Sequence, residues 1–112
     1  MQITQRRAGD VVILDLKGNL VRGVGDEMLR EAVDRLLADR SGKLLINLSD
    51  VTFLDSSGIG ELVSGFTTVA NQGGVVKLLN LTKRVQDLLQ ITKLYTVFEV
   101  FDDEAKAVQS YK

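Results

Sequence analysis

The sequence predicts an α/β domain: a mixed β-sheet of about five strands with about four helices packed on it. Two observations carry that prediction. Two strand-like segments at the N-terminus are followed by helical and strand-like segments in alternation to the end of the chain. The later strand-like segments, "KLLINL" and "VVKLLNL", are nearly continuous apolar runs, as a strand buried on both faces requires.

The elements follow in order. "DVVILDLKG" is rich in β-branched residues and bounded by turn formers, so it reads as a strand, with Gln2 to Arg7 pairing as a hairpin through Ala8-Gly9-Asp10. From Asp26 the period changes: Met28, Leu29, Ala32, Val33, Leu36 and Leu37 recur three and four apart and line one helix face. Asp26 is the expected N-cap, and Glu31, Arg35 and Asp39 form a charge ladder on the solvated face. Lys43 to Leu48 is expected to be the central strand. Ile59, Leu62, Val63, Phe66, Val69 and Ala70 then follow the helical period, more as core than as interface, until Gly73-Gly74 stops them. After the "VVKLLNL" strand, Thr82 can cap a helix with Val85, Leu88 and Leu89 inward. "TVFEVF" reads as a last short strand, and "DDEAKAVQSYK" as a terminal helix starting at Asp102 or Asp103.

Composition narrows function. The 112 residues show no internal repeat and fit one domain, residues 1–112; 45% are hydrophobic and 26% charged, a globular balance. Fourteen basic against fifteen acidic residues leave a net charge of −1, which gives no case for nucleic acid or an anionic membrane. No apolar run approaches the roughly 20 residues of a membrane span, and "MQITQRRAGD" lacks a signal core, so a cytoplasmic location is expected. Without cysteine or histidine the chain has no thiolate or imidazole for catalysis or metal binding. No enzyme activity, cofactor or metal is expected.

The stretch "FLDSSGIGEL", Phe53 to Leu62, offers several readings. A serine nucleophile would need a base, no histidine exists, and neither G-x-S-x-G nor S-x-x-K spacing is present. Gly58 and Gly60 could cradle an anion at a helix start, but the P-loop and dinucleotide patterns are absent and Asp55 would repel phosphate. An ordinary helix cap by Ser57, or by Asp55 or Ser56 one or two residues earlier, accounts for part of the pattern. Two hydroxyls and a carboxylate where one cap suffices leave room for a further role.

"LLINLSDVTFLDSSGIGELV" resembles the signature of the STAS domain family: a hydrophobic strand, a short turn, a second apolar pair and D-[ST]-[ST]-G-[IVL]-G. The likeness covers essentially the whole chain, and a free-standing domain of this length resembles the bacterial anti-sigma factor antagonists more than a transporter tail. That resemblance implies a protein-binding module which, unphosphorylated, binds an anti-sigma factor that is also a serine kinase and so releases a sigma factor. The kinase then phosphorylates it and a metal-dependent PP2C-type phosphatase resets it. The resemblance also implies Ser57 as acceptor, Ser56 less so, and a partner surface of Asp55, Ser56, Ser57, Gly58, Gly60 and Glu61, with the two glycines letting the kinase approach the backbone closely. Asn47 stands where many relatives carry aspartate, and Lys93 where a glycine often follows the third helix. The alternative is a STAS adaptor subunit of a transporter or scaffold complex, in which the serines only cap the helix.

Overall fold

The computed structural model describes residues 1–112. Its elements are β1 (Gln2–Ala8), β2 (Val11–Leu20), α1 (Asp26–Ala38), β3 (Lys43–Leu54), α2 (Ser56–Asn71), β4 (Val75–Leu79), α3 (Lys83–Ile91), a 3-10 turn (Leu94–Thr96), β5 (Val100–Phe101) and α4 (Glu104–Gln109). The sheet order is β1-β2-β3-β4-β5, with β1 antiparallel to β2 and every later pair parallel. β3 is central, as expected. The Ala8–Val11 pairing leaves Gly9 and Asp10 as a two-residue turn, and Gly9 takes the φ of +64° that such a turn needs.

Each crossover from β2 onward advances one strand in the same direction, so α1, α2 and α3 share one face of the sheet. Leu29, Leu62 and Val85 from these helices join Val12, Leu14, Leu44, Ile46 and Leu78 in one core. The other face is covered by α4, where Ala107 meets Val11, Ile13, Leu45 and Leu79. Lys77 fixes that helix: its Nζ donates to Ser110 Oγ at 2.8 Å, pairs with Glu99 at 3.2 Å and lies 4.6 Å from the Tyr111 ring centre. Tyr111 donates its hydroxyl to the Leu44 carbonyl.

Several expectations are corrected. β3 does not stop at Leu48 with a turn after it; it runs to Leu54, because Asp50, Val51, Phe53 and Leu54 continue to pair with β2 across two register shifts, between Asp15 and Lys17 and between Gly18 and Asn19, which pass over Ser49 and Thr52. Asp26 is the first residue of α1, not its cap. Its carboxylate accepts from Gly23 N and Glu27 N, closing the preceding turn, while Gly25 holds the cap position. Arg35 forms no ion pair with Glu31 or Asp39; the α1 charge that finds a partner is Arg30, 3.8 Å from Glu61 on α2. Met28 and Ala70 are exposed rather than inward. Only Val100 and Phe101 of "TVFEVF" are strand, since Leu94 to Thr96 wind into the 3-10 turn; Phe98 instead packs edge-on against Phe66, ring centres 5.4 Å apart.

Candidate functional site at the start of the second helix

The register shifts in β2 and β3 have a spatial consequence: Leu20 and Leu54, the last residues of the two strands, lie side by side. The loop leaving β2 and the start of α2 therefore meet beyond the carboxyl ends of the strands, where sites in open α/β sheets form.

Asp55 joins the two. Its backbone is extended (φ −109°, ψ −174°), as an N-cap requires, and its Oδ1 accepts from Gly58 N at 2.8 Å. The other oxygen, Oδ2, accepts from Arg22 N at 3.0 Å. The Arg22 amide, and after it the Gly58 amide, hold this carboxyl below the usual carboxylate range. Asp55 is thus the cap, and Ser57 is not. Ser56 and Ser57 are the first two helical residues, and neither hydroxyl makes a side-chain hydrogen bond. Ser56 is exposed and Ser57 half-buried.

The two glycines differ in kind. A Cβ on Gly58 would lie 2.0 Å from the Leu20 carbonyl oxygen and 2.7 Å from Leu54 Cδ1, whereas a Cβ on Gly60 would meet nothing within 4 Å. Gly58 is buried and presents no surface, so the expectation that it admits a partner's backbone is corrected: the close approach it allows is to β2 of its own chain. Gly60 is exposed, and Glu61 is half-buried against Arg30. Phe53, 49% exposed with Arg84 stacked 5.1 Å from its ring centre, edges the same end of the sheet.

Asn47 lies further back on the α4 face. Its Nδ2 donates to Asp15 Oδ1 at 2.8 Å and its Oδ1 accepts from Ser49 N at 3.1 Å. Asp15 is held below the usual carboxylate range first by Arg6 and then by Asn47, and Arg6 reaches on to Glu104 of α4 at 2.6 Å. A cleft of about 580 Å³ opens beside Ser49, Asn80, Thr82, Gln86 and Asp102, and neither Ser56 nor Ser57 lines it.

Chemically, the α2 start offers free hydroxyls without a base to activate them. Both oxygens of Asp55, the nearest carboxylate in sequence, are engaged by backbone amides. Such a hydroxyl can receive a group delivered by another enzyme. Sequence reasoning missed Arg22, and no local signal marks it, because the tie runs through its backbone amide.

The model for the STAS domain matches residues 2–107. The chain is 38% identical over 73 residues to the anti-sigma-B factor antagonist of Bacillus subtilis, covering 65% of this chain and 67% of that one. Among solved structures it is similar to one from Thermotoga maritima described as a candidate anti-sigma factor antagonist, with TM-score 0.89, 24% identity and coverage of 96% and 92%. It is also similar to the Bacillus cell fate determinant SpoIIAA in its phosphorylated form, with TM-score 0.77, 18% identity and coverage of 99% and 100%. These two structural likenesses concern the fold.

Proposed function

The chain belongs to the STAS domain family, and from that premise we propose that it is an anti-sigma factor antagonist switched by phosphorylation of Ser57. In its unmodified form it binds an anti-sigma factor and so frees a sigma factor. The bound partner is also a serine kinase: the Ser57 oxygen attacks the γ-phosphorus of ATP, the bond to the bridging oxygen breaks, ADP leaves and the serine proton passes to a base of the kinase. A PP2C-type phosphatase hydrolyses the phosphoserine and restores the binding form.

The observation that carries this reading is the division of labour at the α2 start. Because Asp55 caps the helix, the Ser57 hydroxyl has no structural duty and stands free for modification. Phosphorylation adds about −1.5 to −2 charges at a helix N-terminus, where the dipole and backbone amides accommodate negative charge. The fold therefore persists, and the cost falls on the interface, where a dianion would have to be desolvated near Asp55. A penalty of about 2–3 kcal/mol weakens binding roughly a hundredfold.

Docking would use Asp55, Ser56, Ser57, Gly60 and Glu61. The test is a pull-down from lysate of the source organism with wild-type, Ser57→Ala and Ser57→Asp baits. An ATP-binding, kinase-like protein held by the first two and lost with Ser57→Asp is the expected result. One partner set on all three baits would refute the switch.

A further inference from the structure

We propose that Arg22 is the intramolecular counter-ion of phosphorylated Ser57, so that the modified protein carries its phosphate partly neutralised by its own β2–α1 loop. This rests on the phosphorylation reading and adds a residue to it. One carboxylate holds Arg22 N at 3.0 Å and Gly58 N at 2.8 Å, which clamps the Arg22 backbone to the first turn of α2, the turn that contains Ser57. The clamp uses only the backbone of Arg22. Its guanidinium is exposed, and no acidic side chain pairs with it.

The other cations near this end are committed: Arg30 lies against Glu61, and Arg84 is stacked on Phe53. The acidic groups on the segments that meet here are Asp55, whose oxygens already accept from amides; Asp26, turned to Gly23 N and Glu27 N; Glu27, exposed in the first turn of α1 and in no ion pair; and Glu61, paired with Arg30. Arg22 is thus a cation without an acidic partner on the loop whose backbone is clamped to the turn of the acceptor serine. An arginine fork presents parallel donors that match a phosphate dianion, and a charge-assisted pair of that kind is among the stronger surface contacts. In the unmodified protein the same guanidinium has nothing to hold.

The pairing has a regulatory sense. A phosphate held by Arg22 is screened from simple repulsion by other acidic surfaces, and a phosphatase must dislodge the guanidinium before reaching the phosphorus. The phosphorylated state should be longer-lived with Arg22 than without it.

The test uses full-length protein with phosphoserine installed at position 57 by codon expansion, and follows the second ionisation of the phosphate by phosphorus NMR. An unperturbed phosphoserine titrates near about 6. Arg22→Gln should raise the phosphate's pKa by about half a unit relative to the parent, a threefold change in proton affinity, and the difference should shrink in molar salt. Arg22→Lys should fall between the two, and Arg84→Gln should change little. An Arg22→Gln shift no larger than that of Arg84→Gln, with the Gly58 amide resonance unmoved to show an intact cap, would overturn the proposal. Because the phosphate is installed without any kinase, that outcome is distinct from failure of the switch itself, which would appear as a partner kinase that leaves Ser57 unlabelled.

Discussion

Replacing Gly58 with alanine tests the claim that this glycine serves the fold rather than the partner. A new Cβ would sit 2.0 Å from the Leu20 carbonyl oxygen, so the start of α2 must retreat by about 1.4 Å to reach the 3.4 Å of an ordinary contact. The obstacle is backbone in a paired strand, which cannot swing aside like the end of a side chain, and the cost belongs at the upper end of overpacking, about 3 kcal/mol. Against this, alanine gains about 1 kcal/mol over glycine in a helix. The net destabilisation is about 2 kcal/mol, a fall of about 1 M in the urea midpoint for a chain of this size. Gly60→Ala is the control: with nothing within 4 Å of its Cβ, the helix gain stands alone and stability should rise by about 0.5–1 kcal/mol. Urea unfolding followed by circular dichroism reads both. If Gly58→Ala unfolds at the wild-type midpoint, the contact with Leu20 is not what demands glycine. If Gly60 also receives a partner's backbone, Gly60→Ala should bind the anti-sigma factor more weakly although it is the more stable protein.

Lys93 holds φ +61°, a left-handed conformation that strains a residue bearing a Cβ, so Lys93→Gly should stabilise by about 0.5–1 kcal/mol and raise Tm by a few degrees in calorimetry. Asn47→Asp removes the donor to Asp15 and sets two carboxylates together, which should cost about 1–2 kcal/mol at pH 7; the deficit should shrink near pH 4 as one of them protonates, and an unchanged midpoint at both pH values would refute the pairing. The Asp55 pKa is depressed in the folded state, so its contribution to stability is present above the ordinary aspartate range and is lost as pH falls through its folded pKa. Asp55→Ala should accordingly be less stable than wild type at pH 7 and converge with it in acid titration monitored by fluorescence of a bound dye.

How much of this was legible in the sequence depended on whether the cause was local. The stripes of α1 and α2 and the apolar runs of β3 and β4 carry their own period, and Thr82, which accepts from Val85 N at 3.2 Å, caps α3 as its residue type suggests. β3 beyond Leu48 is hard to read locally because Ser49 and Asp50 have turn-forming chemistry, and it is the pairing of Asp50, Val51, Phe53 and Leu54 with a shifted β2 that keeps the segment extended. The cap of α2 was ambiguous among Asp55, Ser56 and Ser57, since each can accept from an amide two or three residues on. What decided it is the second amide from Arg22, which only the folded chain delivers and which a carboxylate, with two oxygens, can satisfy together with Gly58. Gly58 looked like an open glycine for the same reason: its obstacle, Leu20, is distant in sequence.

That second amide also explains why a switch can be built here without destabilising the domain. If Ser57 were the cap, phosphorylation would tax folding and binding together, and the modified protein would be a weaker fold as well as a poorer ligand. With the cap, the loop clamp and the close packing assigned to Asp55, Arg22 N and Gly58, the hydroxyls of Ser56 and Ser57 carry no part of the fold's stability. Ser57→Ala and Ser57→Asp should therefore unfold within about 0.5 kcal/mol of wild type. A loss of the size expected for a removed cap, about 1 kcal/mol or more, would return the serine to a structural role and take away the physical ground for the switch.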